Sequence, residues 1–258
     1  MTNPKPQFTH ARLKVQRAYR HVQEIEARLQ KFLETDFCKL HIEIEPNTGR
    51  NILKLESIAL PPAHIVLAFG DAVHNLRCAL DYVSTHFVGK DENRISFPVG
   101  KKRDDLVASN SFRSIQKAFP DFAMYVADVI QPYEGGNFKV WEIGTLDNFD
   151  KHKLLVPVVT VTGMTGALLE DNCRNTYTMD LRVGPGGVLD ALSTDTTLKI
   201  NSYGKPAGLI RFPKGLPFQN EPVIPTMLQL VQSTHQAVES LEAFCFGNVV
   251  QTPSNLDF

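Results

Sequence analysis

The sequence predicts an α+β fold with a bundle of long helices at the core, an inserted β-hairpin and a small, mostly antiparallel sheet. Three long segments place apolar residues at helical spacing, and two short segments alternate apolar with polar residues. Residues 155–222 are rich in Thr, Gly and Asp and carry few helix signals. Helices and strands that occur in separate blocks along the chain indicate the α+β class.

The first predicted helix covers residues 8–34, where apolar residues recur every three or four positions between charged ones. Residues 38–45 and 51–57 then alternate apolar with polar side chains, and residues 46–49 between them are turn formers. This order predicts a β-hairpin between two helices.

The second long helix is expected over residues 62–88, where prolines suit the first turn. The later predicted helices cover residues 104–108, 112–118, 122–130, 138–148 and 225–246. The predicted strands of the sheet cover residues 155–162, 176–183, 197–202 and 209–212. We expect the three long helices to form an up-down bundle within one compact domain over residues 1–258, with a β-rich subdomain over 155–222 as the alternative.

Composition narrows the class of protein. The 258 residues are 43% hydrophobic and 21% charged, which supports a sizeable core and excludes a disordered chain. The formal charge of −1 gives no global attraction to nucleic acid or to anionic membranes. Four widely separated cysteines indicate reduced thiols, and no secretory signal or membrane span is visible, so we expect a cytoplasmic protein without a membrane partner. The spacing of His, Cys, Asp and Glu predicts no metal site, and no cofactor is expected.

The polar side of the second long helix has an unusual composition, because no Lys or Glu occurs between positions 61 and 89. Helical geometry places His74, Arg77 and Asp81 on one flank of its apolar stripe. The row on the opposite flank holds His64, Asp71, Asn75, Tyr82 and His86. Imidazoles transfer protons near neutral pH, and an arginine holds phosphate or carboxylate oxygens in a bidentate manner.

Two interpretations of this face are open. In the functional one, Arg77 holds an anion and the polar residues around it complete the site. In the structural one, Arg77 and Asp81 form an i,i+4 ion pair, and the His and Asn side chains bridge neighbouring helices. Cys78 is expected to be a small buried residue, although His74, Arg77 and Asp81 flank it.

A second polar element, Asp150-Lys151-His152-Lys153, lies between a predicted helix and a Val-rich predicted strand. On a connection it would act as an acid/base and anion-binding element, with His152 as proton donor, Asp150 orienting it, and Lys151 or Lys153 neutralising a phosphate. The alternative is a helix C-terminus whose basic residues complement the dipole. We expect Arg77 and His152 to meet in one site.

Two short runs of the chain resemble motifs of uncharacterised bacterial and phage proteins of about this length. The runs are Gly70-Asp71-Ala72-Val73-His74-Asn75-Leu76-Arg77-Cys78-Ala79-Leu80-Asp81-Tyr82 and Asn148-Phe149-Asp150-Lys151-His152-Lys153. In its Arg-x4-His form, the first motif is similar to the signature of HEPN-type nucleases and nucleotide-binding proteins. Those proteins are all-helical modules of defence and toxin systems.

The resemblance implies an HEPN-like nucleotide- or RNA-handling protein of a defence, toxin or mobile-element setting. In such proteins an Arg and a His of one helix face an RNA phosphate, and cleavage uses the ribose 2′-OH without a metal. In this chain the position of that His is Tyr82. Whether the protein is an enzyme therefore stays open, and the alternative is a non-catalytic module that binds a small anion or a protein partner on the same scaffold.

The candidate residues follow from these two motifs. The candidate catalytic residues are Arg77, Asp150 and His152. The candidate ligand-binding residues are His74, Asn75, Asp81, Tyr82, Lys151 and Lys153. A third class, an assembly protein, would bury both polar rows in a subunit interface, so a homo-oligomeric state is left open.

Overall fold

The computed structural model of the protein describes residues 5–35, 37–57, 62–88, 95–153, 158–181 and 188–246. Its elements confirm the predicted α+β class. The helices are α1 (Lys5–Leu33), α2 (Ala63–Val88), α3 (Arg103–Ala108), α4 (Asn110–Ala118), α5 (Pro120–Tyr125), α6 (Phe138–His152) and α7 (Val223–Phe246). The strands are β1 (Cys38–Ile44), β2 (Asn51–Ser57), β3 (Val158–Asp171), β4 (Thr176–Leu181), β5 (Val188–Thr194), β6 (Leu198–Ser202) and β7 (Lys205–Arg211).

Contacts along the chain separate two compact units. The helical unit comprises Met1–Ile25, Val66–Leu155 and Ile224–Phe258, and the β-rich unit comprises Glu26–Ile65 and Val156–Val223. The single domain over 1–258, with its alternative subdomain over 155–222, stays a prediction.

The helical unit is built on the apolar stripes of its long helices. On α1 the stripe is fully buried at Phe8, Val15 and Val22. The Phe8 ring packs edge-on against that of Phe246, and Arg12 pairs with Glu242, so α1 and α7 run antiparallel. Antiparallel neighbours are what the predicted up-down bundle requires.

Two antiparallel sheets form the β-rich unit. The predicted hairpin of β1 and β2 is confirmed, and β5 adds a third strand to it on the β2 side. In the second sheet the long strand β3 pairs with β4, β6 and β7. Alternating residues of β1 and β2, Leu40, Leu53 and Leu55, are fully buried, so the alternation seen in the sequence is that of a half-buried sheet.

The structure corrects the sequence-based elements over residues 188–194, 149–152 and 122–130. The prediction had no strand over residues 188–194, because their Val, Leu and Ala pattern carries no strand period, and β5 owes its conformation to pairing with β2. The helix expected to end at residue 148 continues to His152 as α6. Residues 122–130 were expected as one helix, but α5 ends at Tyr125 and a π-helical turn follows over Val126–Ile130.

Glu142 is one of two buried acidic side chains of α6. Glu142 is 7% exposed, and its Oε2 has no hydrogen-bond partner among the described residues. Burial raises the pKa of Glu142 because the charged form loses its hydration, and a hydrogen bond with Thr145 acts in the opposite direction. The ionised carboxylate therefore lowers the stability of the helical unit.

We predict that Glu142→Gln gains stability over the wild type as pH rises. A carboxyl whose folded pKa is raised binds its proton more tightly in the folded state, so wild-type stability falls from about pH 4 up to the raised pKa. Glutamine does not ionise, so the variant does not lose stability in this way. The difference in unfolding free energy between Glu142→Gln and the wild type should therefore grow between pH 4 and pH 7. Urea unfolding at both pH values measures it. Glu26→Gln, at an exposed position of α1, is the control and should show a constant difference; equal pH dependence of the two variants would contradict the prediction.

Candidate functional site

The candidate site lies along the contact between α2 and α6. Three pairs of facing residues, called rungs below, connect the two helices. Their residue numbers rise along α2 and fall along α6, so the helices run antiparallel. The rungs are Gly70 with Asp150, His74 with Asp147, and Arg77 with Gly144. Successive rungs lie three or four residues apart on both helices, which is one helical turn.

Asp147 is the central charge of this contact. Its side chain is only 4% exposed, and its two oxygens accept hydrogen bonds from His74 Nδ1 at 2.9 Å and from Lys151 Nζ. A buried carboxylate is expensive to desolvate unless it is paired, and here both partners supply that pairing. The sequence analysis missed Asp147, although the i,i+4 spacing to Lys151 was a signal for the pair.

Arg77 and Asp81 form the i,i+4 ion pair of the structural interpretation, at 3.1 Å. The pair also fastens the segment at residues 95–99 onto α2. Arg77 Nη2 donates to the Phe97 carbonyl at 2.8 Å, and Asp81 Oδ1 accepts from the Phe97 amide at 2.6 Å. Burial raises the pKa of Asp81, while the Arg77 charge and the Phe97 amide act against that shift. This Arg77–Asp81–Phe97 clamp gives the pair a structural role.

The second polar row of α2 faces α1. Asn75 is buried and accepts from Lys14 Nζ at 3.0 Å, and it donates to the Asp71 carbonyl at 2.7 Å. Tyr82 is 39% exposed, and its ring lies 6.1 Å from that of His10. These two candidate ligand-binding residues therefore link helices and do not belong to the same surface as Arg77.

A cleft of about 360 Å³ opens beside the clamp. Its described lining residues are Arg77, Asp81, Ser96, Phe97, Pro98, Val99, Ser109, Ser111, Trp141, Gly144, Thr145, Asp147, Asn148 and Lys151. Two basic side chains, several hydroxyl groups and one amide thus share a single concave surface. Of the candidate residues, it brings together Arg77, Asp81 and Lys151.

The other members of the second motif lie elsewhere. The sequence analysis placed Asp150-Lys151-His152-Lys153 on a connection, but Asp150, Lys151 and His152 form the last turn of α6, and Lys153 is its C-cap. The expected meeting of Arg77 with His152 is not found: His152 is absent from the described lining of the cleft. The reason is helical register, since Arg77 faces Gly144, and His152 lies eight residues or about 12 Å further along α6.

Asp150 and Lys153 make contacts outside the described lining of the cleft. The carboxylate of Asp150 lies directly over the Cα of Gly70, where an added Cβ would be 2.3 Å from Oδ2. Lys153 Nζ lies 6.0 Å from the centre of the Phe149 ring. Basic residues in the last turn of α6 complement the helix dipole, as the alternative interpretation of this motif expects.

Cys78 differs from the expectation of a small buried residue. It is half-buried, and its Sγ lies 3.4 Å from His74 Nε2. Its i,i+4 spacing to His74 on one helix was a signal for this contact. Burial raises the pKa of the Cys78 thiol.

Comparison of the chain with protein-family models, with curated proteins and with solved structures gives no match. Within the described residues, no helix combines the length and the apolar character needed to cross a membrane. Over the same residues, no group of three or more His, Cys, Asp or Glu side chains is arranged to hold a metal ion.

We predict that Asp81→Ala destabilises the protein by about 2–4 kcal/mol, because it leaves the buried Arg77 without its counter-ion and the Phe97 amide without its acceptor. Chemical unfolding of wild type and variant measures this difference. Thr85→Ala, an exposed change one turn further along α2, is the control and should stay within about 0.5 kcal/mol of wild type. Similar effects of the two changes would show that the clamp does not hold the 95–99 segment.

Proposed function

We propose that the helical unit binds a small phosphate-bearing anion in the cleft, with a nucleotide or an RNA phosphate as the ligand, and does so without catalysis. The observation that supports this is the convergence of Arg77 and Lys151, from facing helices, on one concave surface that also carries the hydroxyls of Ser96, Ser111 and Thr145. Phosphate oxygens accept hydrogen bonds from such donors.

Both basic side chains keep donors for a ligand. A guanidinium has five N–H donors, and both contacts of Arg77 with described residues use Nη2. A lysine ammonium has three N–H donors, and Lys151 uses one on Asp147. Because each cation already faces an aspartate, recognition would depend on directed hydrogen bonds more than on net charge. We therefore expect modest affinity.

Binding is favoured over cleavage by the chemistry of the lining. The motif resemblance assigns the acid/base step of metal-independent RNA cleavage to a histidine beside the phosphate. The described residues of the cleft include no histidine, and His152 lies about two turns of α6 beyond Arg77's partner Gly144. The HEPN-like ribonuclease is thus the second candidate, supported by the motif resemblance. For either candidate we propose the cytoplasm, and a defence, toxin or mobile-element setting, as the context.

We predict that Lys151→Met weakens phosphate binding about five- to tenfold. A hydrogen bond to a charged group contributes about 1.5–3 kcal/mol, reduced here because the Lys151 side chain is half exposed. Trp141, the only tryptophan, lines the cleft, so its fluorescence reports occupancy during titration with inorganic phosphate or adenosine monophosphate.

Lys153→Met is the matched control, because it removes the same charge from the C-cap position of α6 without touching the described lining of the cleft. Its affinity should stay within about twofold of wild type. Equal losses in the two lysine variants, or no saturable change of fluorescence with either probe, would refute the proposal. Metal-independent cleavage of a labelled single-stranded RNA by the wild type, in the presence of a chelator, would favour the ribonuclease instead.

Gly144→Ala tests the same site without a change of charge. The new Cβ would lie 3.4 Å from Arg77 Nη1 and 3.7 Å from Val99, which is ordinary contact. Alanine favours a helix interior over glycine by up to about 1 kcal/mol. We predict unchanged or higher thermal stability together with weaker phosphate binding, since the methyl group narrows the approach to Nη1. Unchanged affinity would show that the ligand does not contact Arg77.

A further inference from the structure

Three side chains stand in series on the exposed side of the α2–α6 contact. Cys78 Sγ lies 3.4 Å from His74 Nε2, and His74 Nδ1 lies 2.9 Å from Asp147 Oδ1. His74 and Cys78 are separated by one turn of α2, and the Asp147 rung comes from α6. The series shares Asp147 with the cleft, but neither His74 nor Cys78 belongs to the described lining.

The hydrogen-bond partners fix the protonation pattern. An ionised carboxylate only accepts, so the Nδ1 of His74 carries the proton that Asp147 receives as a hydrogen bond. In a neutral imidazole, Nε2 then holds a lone pair and accepts from the Cys78 S–H. Lys151 occupies the other oxygen of Asp147 and keeps the carboxylate in place. Nucleophile, base and orienting acid are therefore aligned, as they are in cysteine and serine nucleophile sites.

We propose that Cys78 is a reactive thiol, activated by His74 and Asp147, that is oxidised by small peroxides. His74 Nε2 takes the thiol proton while the sulfur attacks one peroxide oxygen. The O–O bond breaks, the S–O bond forms, and the departing hydroxide takes the proton from the His74 imidazolium to become water. With hydrogen peroxide the products are a sulfenic acid on Cys78 and one water molecule, so sulfur loses the two electrons that the peroxide gains.

The need for a base follows from the surroundings of the sulfur. Because burial raises the pKa of the Cys78 thiol, little thiolate exists at neutral pH without a proton acceptor. Acyl transfer is a poorer assignment for this cysteine, since it requires donors for an oxyanion, which are often main-chain N–H groups. Cys78 lies in the middle of α2, where main-chain N–H groups donate to carbonyls of the helix itself. A small peroxide needs no such donors.

The other described cysteines supply internal controls. Cys173 is exposed, and Cys245 is half-buried like Cys78 with its pKa raised to about 12 by burial. The reduced full-length protein is treated with limiting hydrogen peroxide and dimedone, and each cysteine peptide is quantified by mass spectrometry. We expect Cys78 to be labelled more than tenfold faster than Cys245 and faster than the more accessible Cys173.

His74→Gln separates base catalysis from accessibility. General-base assistance contributes about 10²-fold or more, so labelling of Cys78 should fall by about that factor in the variant. A spacer role for His74 predicts the reverse, because glutamine leaves the sulfur at least as accessible. The rate at Cys245 reports whether the variant keeps its fold. Labelling of wild-type Cys78 slower than Cys173, or an undiminished rate in a folded His74→Gln variant, would overturn the proposal.

Discussion

The close approach of α2 and α6 at Gly70 determines the arrangement of the whole site. An added Cβ at that position would lie 2.3 Å from Asp150 Oδ2, so a larger residue would displace the carboxylate that lies over Gly70. Once Asp150 lies over Gly70, helical geometry places Asp147 opposite His74 and Gly144 opposite Arg77. The rotation of α6 that places Lys151 on the cleft places the next residue, His152, outside its described lining.

The polar face of α2 has the structural role that the sequence left as one alternative, and the proposed function would add the other. Asn75 and the Arg77–Asp81 pair hold neighbouring parts of the helical unit, and Arg77 does so through a main-chain carbonyl. Because a guanidinium has five N–H donors, the contacts with Phe97 and Asp81 leave other donors of Arg77 available on the cleft. One arginine can then fix a segment and still contact a ligand, which lysine could not do with the same geometry.

The features that could be predicted from the sequence are those encoded by local patterns of residues. Helical periodicity located the long helices, alternation located the β1–β2 hairpin, and i,i+4 spacing located the Arg77–Asp81 pair. The rest depends on register between distant segments: the pairing of β5 with β2, and the contact of His74 with Asp147, 73 residues apart. The Phe97 partner had no sequence signal at all, because the atoms that Arg77 and Asp81 contact belong to its main chain.

Asp147 connects two neighbouring regions through its two oxygens, one held by His74 and the other by Lys151. When a buried carboxylate loses one of two hydrogen-bonded partners, its interaction with the remaining partner becomes stronger. Any event that draws Lys151 away would thus strengthen the hydrogen bond between His74 and Asp147. Thermodynamic reciprocity requires the converse: any event that strengthens the His74 bond would weaken that of Lys151 by the same coupling free energy.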